Sequence, residues 1–380
     1  MDFLPLNNWI EYDSKPLVIA GPCSAETEEQ VMATARQIAT IPMVKVFRAG
    51  IWKPRTRPGG FEGVGKEGLQ WLKKVKNETG LLTTVEVAKP EHVEQAVEAG
   101  IDILWIGART VVNPFSVQEL AEALAGIDIP ILVKNPVNPD LTLWIGAIER
   151  MVKTGHNRIA AVHRGFSQLE KSNYRYPPLW EIPIELMRLM PGLPVICDPS
   201  HIGGSTSLIQ PISQQALDLE MQGLMIETHI DPTHALTDAK QQLTPQSLVS
   251  ILNSLIIRDS NGTYETERNL EVLRKDIDNI DDQMIQLLAR RMEIAHEMGV
   301  YKCDHSITIL QLRRWKELFA DRINKGLLKG LDNRFLANLL RLVHEESIRI
   351  QTNVMCEKEN NCYTLAEMII KAAWINIENQ

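Results

Sequence analysis

Cysteine is scarce: Cys23, Cys197, Cys303, Cys356 and Cys362 are five in 380 residues, odd in number and far apart. That spacing suits a reducing cytoplasm better than a disulfide framework. No stretch approaches the ~20 consecutive apolar residues that a membrane-spanning helix needs. The opening MDFLPLNNWIEYDSKP has neither the basic start nor the apolar run of a signal peptide, so a cytoplasmic protein is expected. There is no surplus of basic charge either: 40 Lys and Arg against 48 Asp and Glu leave a formal −8, which argues against general nucleic-acid binding. Fixed-period repeats and low-complexity tracts are also missing. What remains is a chain with 44% apolar residues, long enough for two domains with a sizeable core.

Short apolar runs recur through the first two-thirds: LVIAG (17–21), VKVFR (44–48), LLTTVEV (81–87), DILWIGA (102–108), ILVKN (131–135), RIAAVHR (158–164), PVICDP (194–199) and LMIETH (224–229). Helical patterns such as EEQVMATARQIA and VQELAEALA lie between them. Strands that alternate with helices form a parallel sheet, runs apolar throughout are buried on both faces, and eight of them predict closure into an α/β (β/α)8 TIM barrel. Composition changes near residue 258. RDSNGTYETER, with its Asn-Gly turn signal, reads as a linker. After it NLEVLRKDIDNIDDQMIQLLARRMEIAHEMGVYK predicts one unbroken helix, long enough to need a partner helix, and two more follow near 310–325 and 332–352. The expected division is a barrel over 1–258, a linker over 259–268, an all-α domain over 269–352 and a tail over 353–380 without assignable pattern.

Polar residues in the strands collect at their C-terminal ends, where a barrel of this kind keeps its active site: Cys23, Arg48, Glu86, Arg109, Lys134, His163, Arg164, Asp198, His201 and Glu227. Cys23, His201, Glu227 and Asp238 make a mixed donor set of thiolate, imidazole and two carboxylates. It suits Mn²⁺, Fe²⁺, Co²⁺ or Zn²⁺ better than an all-sulfur or an all-oxygen site would, although a lone Cys in GPCS is more often a small core residue. Arg48, Lys53, Arg55, Thr56, Arg109, Lys134 and Arg164 form a second, cationic group in an acidic protein. Guanidinium forks bind phosphate and carboxylate in pairs of hydrogen bonds, so the substrates are expected to carry at least two such groups. A lysine among other cations can have a lowered pKa, which makes Lys53 a candidate proton shuttle as well as a phosphate contact.

Together GPCSAE (21–26), KPRTRP (53–58), IGART (106–110), VKNP (133–136), HRGF (163–166), DPSHIGG (198–204), IETH (226–229) and TDAKQQL (237–243) resemble the motifs of 3-deoxy-D-arabino-heptulosonate-7-phosphate (DAHP) synthase, type I beta branch. The resemblance implies condensation of phosphoenolpyruvate with erythrose 4-phosphate. It puts a divalent metal, Mn²⁺ first, on Cys23, His201, Glu227 and Asp238. It puts phosphoenolpyruvate on Arg48, Lys53, Arg109, Lys134 and Arg164, and the aldose phosphate on Arg55 and Thr56. It leaves Asp198 to support His201, and the glycine pair to let backbone approach a ligand closely. The arabinose 5-phosphate synthase is related, and KPRT speaks against it. Ser205 and Thr206 stand where many relatives carry basic residues.

On the long helix, Arg291 and Lys302 are eleven positions apart and share a face, whereas Arg274 lies about 100° away from Arg291. Arg274 is therefore expected to serve a pocket in a partner chain. Ser347 and Gln351 share a face of the last helix. LRKDIDNIDDQMIQLLARR…GVYK, LRRW and EESIRIQ resemble the all-helical chorismate mutase over 270–352. That resemblance implies a homodimer with shared sites for chorismate and prephenate, in which Arg274, Arg291, Lys302, Arg314, Ser347 and Gln351 contact the ligand and Lys302 and Arg291 act in catalysis. Trp315 and Gln311 depart from the family's usual Glu and Asp. The expectation is a bifunctional enzyme restrained by prephenate; the alternative is a DAHP synthase whose helical domain is only a dimerising allosteric sensor.

Overall fold

The computed structural model describes residues 2–12, 16–53, 59–169, 172–258 and 264–359. Arg55 and Thr56 lie outside the described residues, as does the tail from residue 360 onward. The chain divides into two compact units, Met1–Ser260 and Asn261–Gln380.

In the first unit eight parallel strands close into a barrel in chain order. They are β1 (Leu17–Gly21), β2 (Val44–Arg48), β3 (Leu82–Val87), β4 (Ile103–Ile106), β5 (Ile131–Lys134), β6 (Ile159–His163), β7 (Val195–Cys197) and β8 (Gly223–Glu227). The helices between them start on local signals. Thr27, Asp140 and Thr244 accept hydrogen bonds from the backbone N–H three residues on, and prolines open the helices at Pro90, Pro114 and Pro245.

The two-residue period of a strand sorts side chains between two apolar layers. Val18, Phe47, Leu104, Val133, Ala161 and Leu224 face outward against the helices, while Leu17, Ile19, Val46, Trp105, Leu132, Val162, Ile196 and Met225 fill the barrel. Leu6 and Ile10 of the N-terminal segment join that inner cluster, and Leu4 N–H donates to the Asn157 carbonyl at the strands' N-terminal end, so the floor is sealed. Two residues beyond the inner apolar layer, the same register carries Arg48, Lys134, Arg164, Asp198 and Glu227. His163 falls on the other face. It is buried beside Trp144, Phe166 and Trp180, and burial, then the adjacent Arg164 charge, pushes its pKa down to about 3.

Among the described residues the second unit holds three helices, Tyr264–Asp304, Leu312–Leu327 and Asn333–Glu359. The first begins ahead of the 269 boundary drawn from composition, and the last runs past 352, since neither extension contains Gly or Pro. Gly299 lets the first and third helices approach, since a Cβ there would lie 3.0 Å from the Gln351 Cα. Residues 266–290 of the first helix are exposed throughout. Leu270, Leu273, Ile277, Ile280, Met284, Leu287, Ile294 and Met298 are exposed along it at alternating three- and four-residue spacing, with Arg291 filling the one gap. Among the described residues no helix is long and apolar enough to cross a membrane.

His163 is neutral when folded and takes a proton below about pH 6.5 when unfolded. Its contribution is therefore complete above that pH and is lost as pH falls toward 3. His163→Phe is expected to shift the acid-unfolding midpoint of the chain to lower pH, as followed by circular dichroism; an unmoved midpoint would contradict this.

Candidate functional sites

The stretch VICDPSHIGG builds the centre of the barrel mouth. Pro199–Gly203 is a short helix with Pro at its first position and Asp198 as its cap, whose Oδ1 accepts from the His201 N–H at 3.1 Å. The other oxygen, Oδ2, accepts from the Lys134 ammonium at 2.8 Å and from His201 Nδ1 at 2.8 Å. One buried carboxylate thus fixes the imidazole as the Nδ1–H tautomer and leaves Nε2 free to act as a ligand atom. Burial opposes that charge on Asp198, but His201 and Lys134 outweigh it and hold the carboxyl well below its usual range. Ser200 Oγ accepts from the Glu227 N–H at 2.9 Å and ties the short helix to β8.

Around this helix the structure gathers Cys23, Glu227 and Asp238, whose ligand atoms lie within 4.8 Å of one another. His201 Nε2 stands 3.7 Å from Glu227 Oε1. Glu227 Oε2 accepts from Gln241 Nε2 at 2.6 Å, whereas Oε1 is buried without a hydrogen-bond partner, 3.2 Å from the Arg48 guanidinium. Asp238 has left-handed backbone, φ 49° and ψ 34°, which Asp tolerates better than most side chains. A soft thiolate, an imidazole and two carboxylates, one with an unfilled buried oxygen, fit a divalent transition metal. Burial, followed by the Glu227 charge, pushes the Cys23 thiol up to about 12.

Cations surround the cluster. Arg48 is buried above Trp105, 5.1 Å from the ring centre, with Nε and Nη1 lacking partners, and one guanidinium nitrogen of buried Arg164 likewise lacks one. Arg164 lies 3.6 Å over the Tyr176 ring. Lys53 donates to the Cys23 carbonyl at 2.9 Å and to its Sγ at 2.8 Å. Burial alone would lower its pKa; Cys23 and Glu227 outweigh that, and the pKa is raised. The expectation of a lowered pKa thus fails, because this lysine faces anions more closely than cations. Lys134 differs from Lys53, with burial as the main cause of a lowered pKa. Arg109 is exposed on the neighbouring loop helix Ala108–Val111.

Arg175, Tyr176, Trp105 and Gln241 also belong to this mouth, and the sequence singled out none of them. Arg175 Nη1 donates to Asp238 Oδ1 at 2.9 Å and to Gln241 Oε1 at 2.7 Å. Its stretch SNYRYPP carries no periodic or spacing signal. The glycines of DPSHIGG have a packing role. A Cβ on Gly203 would sit 3.0 Å from Leu208, and one on Gly204, φ +66°, would sit 2.5 Å from Arg175.

In the helical unit, Arg291, Lys302, Arg314, Ser347 and Gln351 line one cavity of about 270 Å³, together with Gln311, Trp315 and His344. Arg291 donates to Ser347 Oγ, and Lys302 donates to Gln351 Oε1 at 2.9 Å. Trp315 stacks on His344 at 3.6 Å. Burial, then Arg291 and Lys302, push the pKa of His344 down to about 4. Arg274 is elsewhere, about 25 Å from Arg291 along the helix, beside Glu271 at 3.9 Å.

Residues 7–260 match the family model "DAHP synthetase I family". The chain belongs to this family. Residues 273–352 match "Chorismate mutase type II", so the DAHP synthetase I barrel is followed in the chain by a helical region similar to that family. Over 226 residues it is 32% identical to phospho-2-dehydro-3-deoxyheptonate aldolase of Thermotoga maritima, covering 60% of this chain and 64% of that protein. It therefore spans just under two thirds of that relative. It is 32% identical over 260 residues to 2-dehydro-3-deoxyphosphooctonate aldolase of Desulfatibacillum aliphaticivorans, covering 63% and 90%. The crystal structure of the Thermotoga maritima heptonate aldolase superposes with a TM-score of 0.57 at 29% identity, over 63% of this chain and 67% of that one.

Removing the Asp198 charge leaves Lys134 buried without its partner. Asp198→Asn is expected to destabilise the barrel by about 3–5 kcal/mol at pH 7. Denaturant unfolding measures this, and a change below about 1 kcal/mol would show that the carboxylate is not the anchor inferred here.

Proposed function

We propose that the barrel condenses phosphoenolpyruvate with erythrose 4-phosphate to DAHP and phosphate, and that the helical unit rearranges chorismate to prephenate. The observation that carries the first reading is the set of buried guanidinium donors on Arg48 and Arg164 with no protein partner. Buried cations of this kind call for an anionic ligand. Arg48, Arg109, Lys134 and Arg164 hold the phosphate and carboxylate of phosphoenolpyruvate and offset charge as the carbon–carbon bond forms. Arg55 and Thr56 take the aldose phosphate. Cys23, His201, Glu227 and Asp238 hold the divalent ion, Mn²⁺ first with Fe²⁺, Co²⁺ or Zn²⁺ compatible. When bound, the ion supplies Lewis-acid polarisation of the aldehyde oxygen or a water of lowered pKa. Lys53, still an ammonium, donates a proton to the oxygen that becomes a hydroxyl.

The mutase reaction is intramolecular and needs no nucleophile. Arg291 and Arg314 hold the carboxylates in a folded pose, while Lys302 and Gln351 stabilise charge on the breaking ether oxygen. The fully exposed first half of the long helix supports a homodimer. A helix with no packing is marginal in water, and its three–four apolar spacing is that of a coiled-coil seam. Arg274 flanks that seam and reaches the partner's cavity. Prephenate in the cavity restrains the barrel.

Trp315 favours a second reading, in which the helical unit senses prephenate without turning chorismate over. Chorismate turnover by the full chain decides between them. With the barrel, DAHP formation is expected to vanish with chelator, return with Mn²⁺, and favour erythrose 4-phosphate over arabinose 5-phosphate. A rate indifferent to chelation would end the metal reading. Arg291→Ala is expected to lower chorismate turnover by about 100-fold or more and to relieve prephenate inhibition of DAHP formation; persistence of both would remove the cavity from the account.

A further inference from the structure

Two carboxylates and a thiol have ligand atoms within 4.8 Å of one another, and carboxylates rotate unless something holds their second oxygen. Glu227 and Asp238 are held from the same side. Arg175 Nη1 donates to Asp238 Oδ1 at 2.9 Å, and Asp238 Oδ2 is left 3.4 Å from Cys23 Sγ. The same nitrogen donates to Gln241 Oε1 at 2.7 Å. That contact fixes the Gln241 amide so that its Nε2 donates to Glu227 Oε2 at 2.6 Å, and Glu227 Oε1 is left without a hydrogen bond, 3.2 Å from the Arg48 guanidinium. One guanidinium nitrogen thus occupies the outer oxygen of one carboxylate directly and of the other through an amide. The two oxygens left over are Asp238 Oδ2, 3.4 Å from Cys23 Sγ, and Glu227 Oε1, 3.7 Å from His201 Nε2.

The backbone is arranged to bring Arg175 there. Tyr176 N–H donates to the Ile202 carbonyl at 3.1 Å, and Phe166 N–H to the Pro177 carbonyl at 2.9 Å, so the segment after β6 is strapped over the short helix. Two glycines admit it. A Cβ at Gly165, φ +78°, would lie 2.1 Å from the Tyr176 carbonyl oxygen, and one at Gly204 would lie 2.5 Å from the Arg175 Cβ. Both backbones are left-handed, a conformation Gly adopts without strain. These two glycines, in HRGF and DPSHIGG, serve the strap.

We propose that Arg175 is a positioning residue for the metal site: it orients Asp238 directly and Glu227 through Gln241, so that each presents one oxygen to the ion. This rests on the metal reading given above. An arginine rather than a lysine is required, because only the guanidinium nitrogen carries two hydrogens in the fixed plane that meets both acceptors.

The test uses the full chain, stripped of metal and titrated by calorimetry with Mn²⁺, and the absorption spectrum of the Co²⁺-loaded protein. Arg175→Met is expected to weaken Mn²⁺ binding about 10–100-fold and to alter the Co²⁺ bands that report ligand geometry. Arg175→Lys is expected to recover less than half of that loss on a logarithmic scale. Melting curves of the stripped proteins verify folding. Gln241→Leu, which cuts only the Glu227 arm, guards against an Arg175 variant that fails to fold and is expected to give a smaller shift in the same direction. Cys23→Ser separates the two ideas. If Cys23→Ser weakens Mn²⁺ while Arg175→Met and Gln241→Leu leave affinity and spectrum unchanged, the positioning role is wrong and the metal site stands. If Cys23→Ser also leaves Mn²⁺ affinity unchanged, the metal reading and this inference fall together.

Discussion

The barrel mouth depends on the Asp198 carboxylate, which is buried and yet ionised. It caps the helix that carries His201, holds the imidazole by Nδ1 and pairs with Lys134 on a different strand. An isolated carboxylate in such surroundings would neutralise itself; this one stays charged because two donors reach the same oxygen. Lys134 in turn tolerates burial because Asp198 is there. Each charge at the mouth is admissible only in the presence of the others, so the site forms as a unit with β5, β7 and the short helix in register.

That interdependence explains the layering. The inner strand positions fill the barrel with Leu, Ile, Val and Trp105, and two residues further along the same register the side chains become Arg48, Lys134, Arg164, Asp198 and Glu227. The apolar layer excludes water from below and strengthens the electrostatic contacts above it. Trp105 joins the layers, since its ring lies under both Arg48 and Lys134 and its Nε1–H donates to Glu86 at 3.2 Å.

The helical unit is organised differently. Its cavity draws on all three helices and keeps Arg291 and Lys302 hydrogen-bonded to Ser347 and Gln351. The first half of its long helix is exposed, residues 266–290 throughout. The contrast between a satisfied cavity and a bare apolar stripe is what a second chain would resolve.

By itself the sequence determined the barrel, its eight strands, the helical unit and the identity of most charged residues at the mouth. Those features are written in local periodicity and in motifs that keep their order along the chain. The tertiary structure decided which of two adjacent polar residues, His163 or Arg164, faces inward, because that depends on strand register. It also decided that Lys53 meets Cys23, which raised a pKa expected to fall. The place of Arg175 was invisible beforehand, since its partners Asp238 and Gln241 are 63 and 66 residues away and no local pattern links them. Contacts of that range are fixed only once the barrel closes and brings the loops after β6 and β8 side by side.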